Sequence, residues 1–127
     1  VLDTAVETVW TVDAQVLPVA EVPAAGRYDL KARRVCGQDL DNGFGGWSGV
    51  ATMRDPAWPF TLALSSLEAG FFQLYSPAAG GLFVAEPVSH ANAALNAPEA
   101  EWPRLGMRVL APDETMRLTM RLELRPA

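Results

Sequence analysis

Cysteine and histidine are almost missing from this chain of 127 residues: each occurs once, as Cys36 and His90. One cysteine excludes an internal disulfide and a cysteine-rich metal site. One histidine excludes a site with two or three histidine ligands from this chain, and the pair Cys36 and His90 has no spacing that marks a nucleophile and its base. Basic tracts are also absent. The ten Lys and Arg residues against fifteen Asp and Glu leave a net charge of −5, and the densest basic group, Arg27, Lys31, Arg33 and Arg34, is interleaved with Asp29, Asp39 and Asp41. Nucleic acid binding rests on phosphate neutralisation, so no nucleic acid partner is expected. No uninterrupted apolar run reaches the length of a membrane span, and no membrane partner is expected. Val1-Leu2-Asp3-Thr4 has neither a basic stretch nor an apolar stretch of the secretory kind. A lone cysteine fits the cytosol, and a cytoplasmic location is the expectation. There is no P-loop and no dinucleotide fingerprint. Gly43-Phe44-Gly45-Gly46 lacks the Lys-Ser/Thr and the strand-to-helix setting that phosphate cradles carry.

What is present is the composition of a folded domain: half of the residues are hydrophobic and a fifth charged. Val6 to Asp13 is rich in β-branched residues and reads as a strand, with Val6, Thr8, Trp10 and Val12 on one face. Pro18 and Pro23 break the pattern, and Ala24-Ala25-Gly26 ends it in a loop. Residues 27–42 show no clean period, and the glycines 43, 45, 46 and 49 predict a bend. Four short strands follow: Trp47 to Met53, Phe60 to Ser65, Phe71 to Tyr75 and Leu82 to Ala85. Turn signals every eight to twelve residues have the rhythm of a sandwich or barrel. Met116, Leu118, Met120, Leu122 and Leu124 alternate with polar residues, the period of a strand with one buried face. Helical signals are weak, limited to a short turn over 91–95 that Ser89 could cap. The expectation is one all-β, antiparallel β-sandwich domain or domain fragment over residues 1–127.

Chemistry is concentrated in carboxylates beside aromatic residues. Asp41 precedes the glycine-rich bend and Trp47. Glu86 ends an apolar strand, where partial burial would make it a better general base. Phe44, Trp47, Phe72 and Tyr75 could stack on a sugar ring while Asp41 and Asn42 hold hydroxyls. Each has a plainer reading: Asp41-Asn42-Gly43 as a turn, Glu86 as a strand-end surface residue, His90 as a loop residue, Cys36 as packing. Trp10, Phe60, Phe71 and Phe83 read as core.

Three segments, in order, resemble the aldose 1-epimerase (galactose mutarotase-like) family. Gln38-Asp39-Leu40-Asp41-Asn42-Gly43-Phe44-Gly45-Gly46-Trp47-Ser48-Gly49 resembles its sugar-binding aspartate segment. Residues 83–93, Phe83-Val84-Ala85-Glu86-Pro87-Val88-Ser89-His90-Ala91-Asn92-Ala93, resemble the segment with its catalytic glutamate. Leu110-Ala111-Pro112-Asp113-Glu114 resembles a Leu-x-Pro-Gly-Glu turn before the last strand, with Asp113 in place of glycine. Leu17-Pro18 resembles an upstream linking region. The resemblance implies the C-terminal portion of a galactose mutarotase-like β-sandwich that interconverts the α and β anomers of a free hexose. Glu86 would be the general base, Asp41 would bind sugar hydroxyls, and Asn42 and Trp47 would join it in substrate binding. No cofactor is implied. The family's acid histidine, a second histidine and a substrate-binding arginine lie upstream of the matched region, and His90 matches neither histidine. The expected partners are therefore a small-molecule sugar and either the missing N-terminal half or a second chain. Such a portion is expected to show either an exposed apolar face or an interface. The alternative reading is a non-catalytic carbohydrate-binding β domain, and a third is a purely structural domain.

Overall fold

The computed structural model describes residues 1–126. Its nine strands are β1 (Leu2–Thr4), β2 (Thr8–Val12), β3 (Pro18–Pro23), β4 (Leu40–Gly45), β5 (Val50–Arg54), β6 (Phe60–Ser65), β7 (Phe71–Ser76), β8 (Val84–Val88) and β9 (Arg121–Pro126). All pairings between them are antiparallel, in a four-stranded sheet of order β1-β5-β6-β9 and a five-stranded sheet of order β3-β2-β4-β7-β8. Helical structure is confined to single 3-10 turns at Gly26–Tyr28, Ala94–Asn96 and Glu99–Glu101. No helix of the described residues is long and apolar enough to cross a membrane.

The inner faces of the sheets form the main core. Leu2, Ala51, Met53 and Leu64 come from one sheet, and Val9, Leu40, Phe44, Phe72 and Leu74 from the other. Alternation along each strand produces this: Leu40, Asn42 and Phe44 of β4 point inward, so Asp41, Gly43 and Gly45 point outward. A smaller core lies on the outer face of the five-stranded sheet, where Trp10 meets Ala91, Ala94 and Leu105, with Phe71 beside them. There the segment after β8 folds back over the sheet, held by the Ala91 amide donating to the Leu105 carbonyl at 2.9 Å.

The sandwich is open along one side. Between β8 and the β6–β9 pair lies a cleft of about 830 Å³, lined by Leu62, Leu64, Leu82, Phe83, Ala85 and Leu122 among others. On β9, Leu122 and Leu124 are 59% and 63% exposed, although they share a face with the inward-pointing Leu64 and Leu62 opposite them. Cross-strand partners exist there; a covering layer over the leucines does not.

Several elements depart from the sequence reading. Residues 40–45 form a central strand rather than a bend, because bare backbone at Gly43 and Gly45 accommodates Asn92 and the Trp10 ring above it. Pro18 and Pro23 sit at the two ends of β3, an edge strand that loses little by their missing N–H groups. Residues 2–4 form β1, which the reading did not include. The strand expected from Trp47 starts at Val50. That expected over 82–85 runs over 84–88, and of the segment 116–124 only the part from Arg121 is paired. Ser89 caps no turn; its hydroxyl lies 2.9 Å from His90 Nδ1. Asp113, where glycine is usual in the resembling turn, adopts φ 67°, a left-handed conformation that Asp tolerates better than most residues. Glu114 closes that turn by accepting from the Ala111 amide at 3.1 Å and from Arg108 at 2.7 Å.

Candidate active site

Three neighbouring strands bring polar side chains onto the outer face of the five-stranded sheet. In the β4–β7–β8 ladder Gly43 pairs with Gln73, and Gln73 pairs with Glu86. Asp41 is one outward position along β4, paired with Tyr75. Gln73 Nε2 donates to Asp41 Oδ1 at 3.0 Å, so the central amide holds the aspartate from the strand beside Glu86. The strands of Asp41 and Glu86 are two ladder steps apart, about 10 Å.

A cavity of about 300 Å³ lies over this face, lined by Gly43, Gln73, Glu86, His90 and Asn92 with Phe71 as an aromatic wall. That volume is at the small end of ligand sites, suited to a compact polar molecule. Gly43 is the floor. A Cβ there would come 2.9 Å from Asn92 Oδ1 and 3.2 Å from Gln73 Oε1, so any side chain would fill the space where these amides converge. Asp41 does not line the cavity itself; it reaches it through Gln73. Glu86 is exposed on its floor.

Two of the expected sugar contacts are corrected. Asn42 follows Asp41 by one residue, so the pleat turns it to the opposite face. It is 3% exposed, and its Nδ2 donates to the Trp10 carbonyl at 2.8 Å, in the gap where the β2–β4 pairing ends after Val9 and Phe44. Trp47 is also interior: its ring stacks on Phe72 at 5.2 Å and its Nε1 donates to Thr4 Oγ1 at 2.8 Å. Phe44 and Phe72 are fully buried core residues, not platforms. The aromatic residues on the site face are Phe71, read above as core, and Tyr75, 41% exposed.

Gln73 and Asn92 have no assigned role in the sequence reading, and His90 is read there as a loop residue. For Gln73 a signal existed: it is the polar residue between Phe72 and Leu74, and the alternation of the strand turns it away from the face those two bury.

Among the described residues no group of three or more potential metal ligands converges. Arg33 is spent on loop carbonyls of Arg27 and Asp29, Arg34 and Arg54 line the other cleft, and Arg104 pairs with Glu21 at 2.7 Å and Glu101 at 2.9 Å. The two carboxylates raise Arg104 above its ordinary pKa, through the hydrogen bonds it donates to Glu101 and then Glu21. None of these four arginines lines the Glu86 cavity.

The chain is an all-β protein with the two-sheet antiparallel architecture of the galactose mutarotase-like fold. Its likeness to a solved structure carries that statement: a "putative aldose 1-epimerase" from Escherichia coli K12 superposes with a TM-score of 0.82 over 99% of this chain, at 21% sequence identity. This chain spans 45% of the length of that one. No protein-family model matches the sequence, and no curated protein matches it.

Proposed function

We propose that this chain carries the carboxylate half of an aldose 1-epimerase-like site that interconverts the α and β anomers of a free hexose. The observation that carries the reading is the ladder Asp41–Gln73–Glu86, placed on one sheet face beside a cavity of about 300 Å³, in a fold shared with the Escherichia coli protein. Glu86 takes the proton of the anomeric hydroxyl. The C1–O5 bond breaks, the ring oxygen receives a proton, and the open aldehyde turns about C1–C2 before closing on its other face. Closure returns both protons, so each group is reset. Asp41 accepts from sugar hydroxyls that extend beyond the cavity rim; the amide of Gln73 holds its carboxylate in place for them. Phe71 offers the apolar wall a pyranose ring stacks against. A positioned base and acid contribute about 10²–10⁴-fold each.

The acid is a histidine of the remaining half of the fold. The open cleft between β8 and β9 and the uncovered Leu122 and Leu124 support a neighbouring layer on that side.

The test is the relaxation of optical rotation of freshly dissolved α-galactose, with this chain in its whole polypeptide and with the Glu86→Gln variant. The wild type accelerates relaxation and the variant loses about 10²-fold or more of that acceleration. Rates equal to buffer for both proteins refute catalysis. Retained galactose binding with those rates would instead select the alternative, a non-catalytic carbohydrate-binding β domain.

A further inference from the structure

We propose that His90 is a sugar-contacting residue of the Glu86 cavity, presenting Nε2 to a ring hydroxyl. This rests on the reading of that cavity as a sugar site. Three observations carry it. First, His90, an exposed residue, lines the same cavity as Glu86 and Asn92, although it comes from the loop after β8 and not from the ladder. Second, Ser89 Oγ is 2.9 Å from Nδ1, which leaves Nε2 as the ring nitrogen without a partner among the described residues. A ring nitrogen donates or accepts according to tautomer, and a sugar hydroxyl can answer either way, so the contact needs no charge.

Third, the loop carrying His90 is braced. The next residue, Ala91, is 2% exposed and packs with Ala94 and Leu105 against Trp10. From the other side Gly106, at φ +74°, brings bare backbone against Ser89 and His90. A Cβ on it would stand 2.3 Å from the Ser89 carbonyl oxygen and 3.1 Å from His90 Cα. A histidine on a free surface loop would need neither constraint. Here the backbone on both sides of His90 is held against the elements that cover the Glu86 sheet, so the residue is kept beside the cavity.

In proton NMR of the whole polypeptide, the His90 ring C–H signals are identified by their loss in His90→Ala. Titration of the wild type with D-galactose and D-glucose is expected to shift these two signals with saturation. Ethylene glycol at equal hydroxyl concentration leaves them in place. Glu86→Gln preserves the sugar-dependent shift, since the contact does not depend on proton transfer. In the optical-rotation assay on the whole polypeptide, His90→Ala raises KM about 3- to 10-fold and leaves kcat within about twofold, the signature of one lost neutral hydrogen bond in ground state and transition state alike. Ring signals that do not respond to either sugar overturn the proposal, as does a His90→Ala variant that lowers kcat at unchanged KM. Neither result touches the role of Glu86. Conversely, a Glu86→Gln enzyme with full activity removes the catalytic reading, while a saturable His90 shift still stands.

Discussion

Replacing Gly106 by alanine tests how the cavity wall is held. Two costs are separable. At φ +74° an L-residue carries a left-handed conformational penalty of about 1–2 kcal/mol. The new methyl group would also lie 2.3 Å from the Ser89 carbonyl oxygen and 2.7 Å from Phe71 Cε2. The oxygen belongs to backbone tied down by the Ala91–Leu105 hydrogen bond and cannot swing aside like a side-chain tip, so an overpacking cost of about 1–3 kcal/mol follows. Together these give about 2–5 kcal/mol. Two other glycines isolate the terms. Gly81 has φ +82° and open space around its Cβ position, so Gly81→Ala shows the conformational cost alone. Gly70 has neither a left-handed φ nor a neighbour within 4 Å, and Gly70→Ala is expected to be neutral or to stabilise by up to about 1 kcal/mol. Urea denaturation followed by tryptophan fluorescence reads all three; for Gly106→Ala the midpoint should fall by on the order of 1 M or more at unchanged slope. A Gly106→Ala protein no less stable than Gly81→Ala refutes the claim that this contact braces the loop of His90.

Asn42→Ala removes a buried donor from the Trp10 carbonyl and is expected to cost about 1–3 kcal/mol in urea denaturation while leaving sugar-induced shifts intact. Leu64→Ala, in the covered core, costs about 2–5 kcal/mol, whereas Leu122→Ser with Leu124→Ser costs less than about 1 kcal/mol and lowers binding of the dye ANS to the isolated chain. Equal penalties at the two places would mean that β9 is covered in solution. At Glu68, burial alone would raise the pKa, but hydrogen bonds from its own amide, from Thr119 and from Ser66 outweigh it and bring the group below 4.5. The folded value being the lower one, its tie to Thr119 is intact at neutral pH and is lost as acidification passes through that lowered value. The Thr119 amide resonance should titrate accordingly and cease to do so in Glu68→Gln.

Strands with β-branched or alternating residues were legible: β6 begins and ends where Phe60 to Ser65 predicts, and β2 and β7 lie within a residue or two of the expected spans. Strand β4 was not. Its glycines score as a bend, and only the aromatic ring of Trp10 and the amide of Asn92 packed over them make flat, bare backbone the fitting choice. The same information is long-range for Asn42 and Trp47. Sequence proximity placed them with Asp41, but the pleat and the Phe72 stack place them in the core. Glu86 reached the cavity because the polar positions of β7 and β8 share its parity. The part that His90 takes depends on the fold-back of residues 89–106, which leaves no periodic trace in the chain.

The rung arrangement of Asp41, Gln73 and Glu86 also fixes where the chain can change length. Each is set by a neighbour across a strand, not by the turns joining them, so residues 77–83 between β7 and β8 can lengthen or shorten while the three stay in place. Within a strand the tolerance vanishes. One residue inserted between Val84 and Glu86 would move the carboxylate through the sheet to the leucine side, and a protein of intact architecture would be left with an empty hollow.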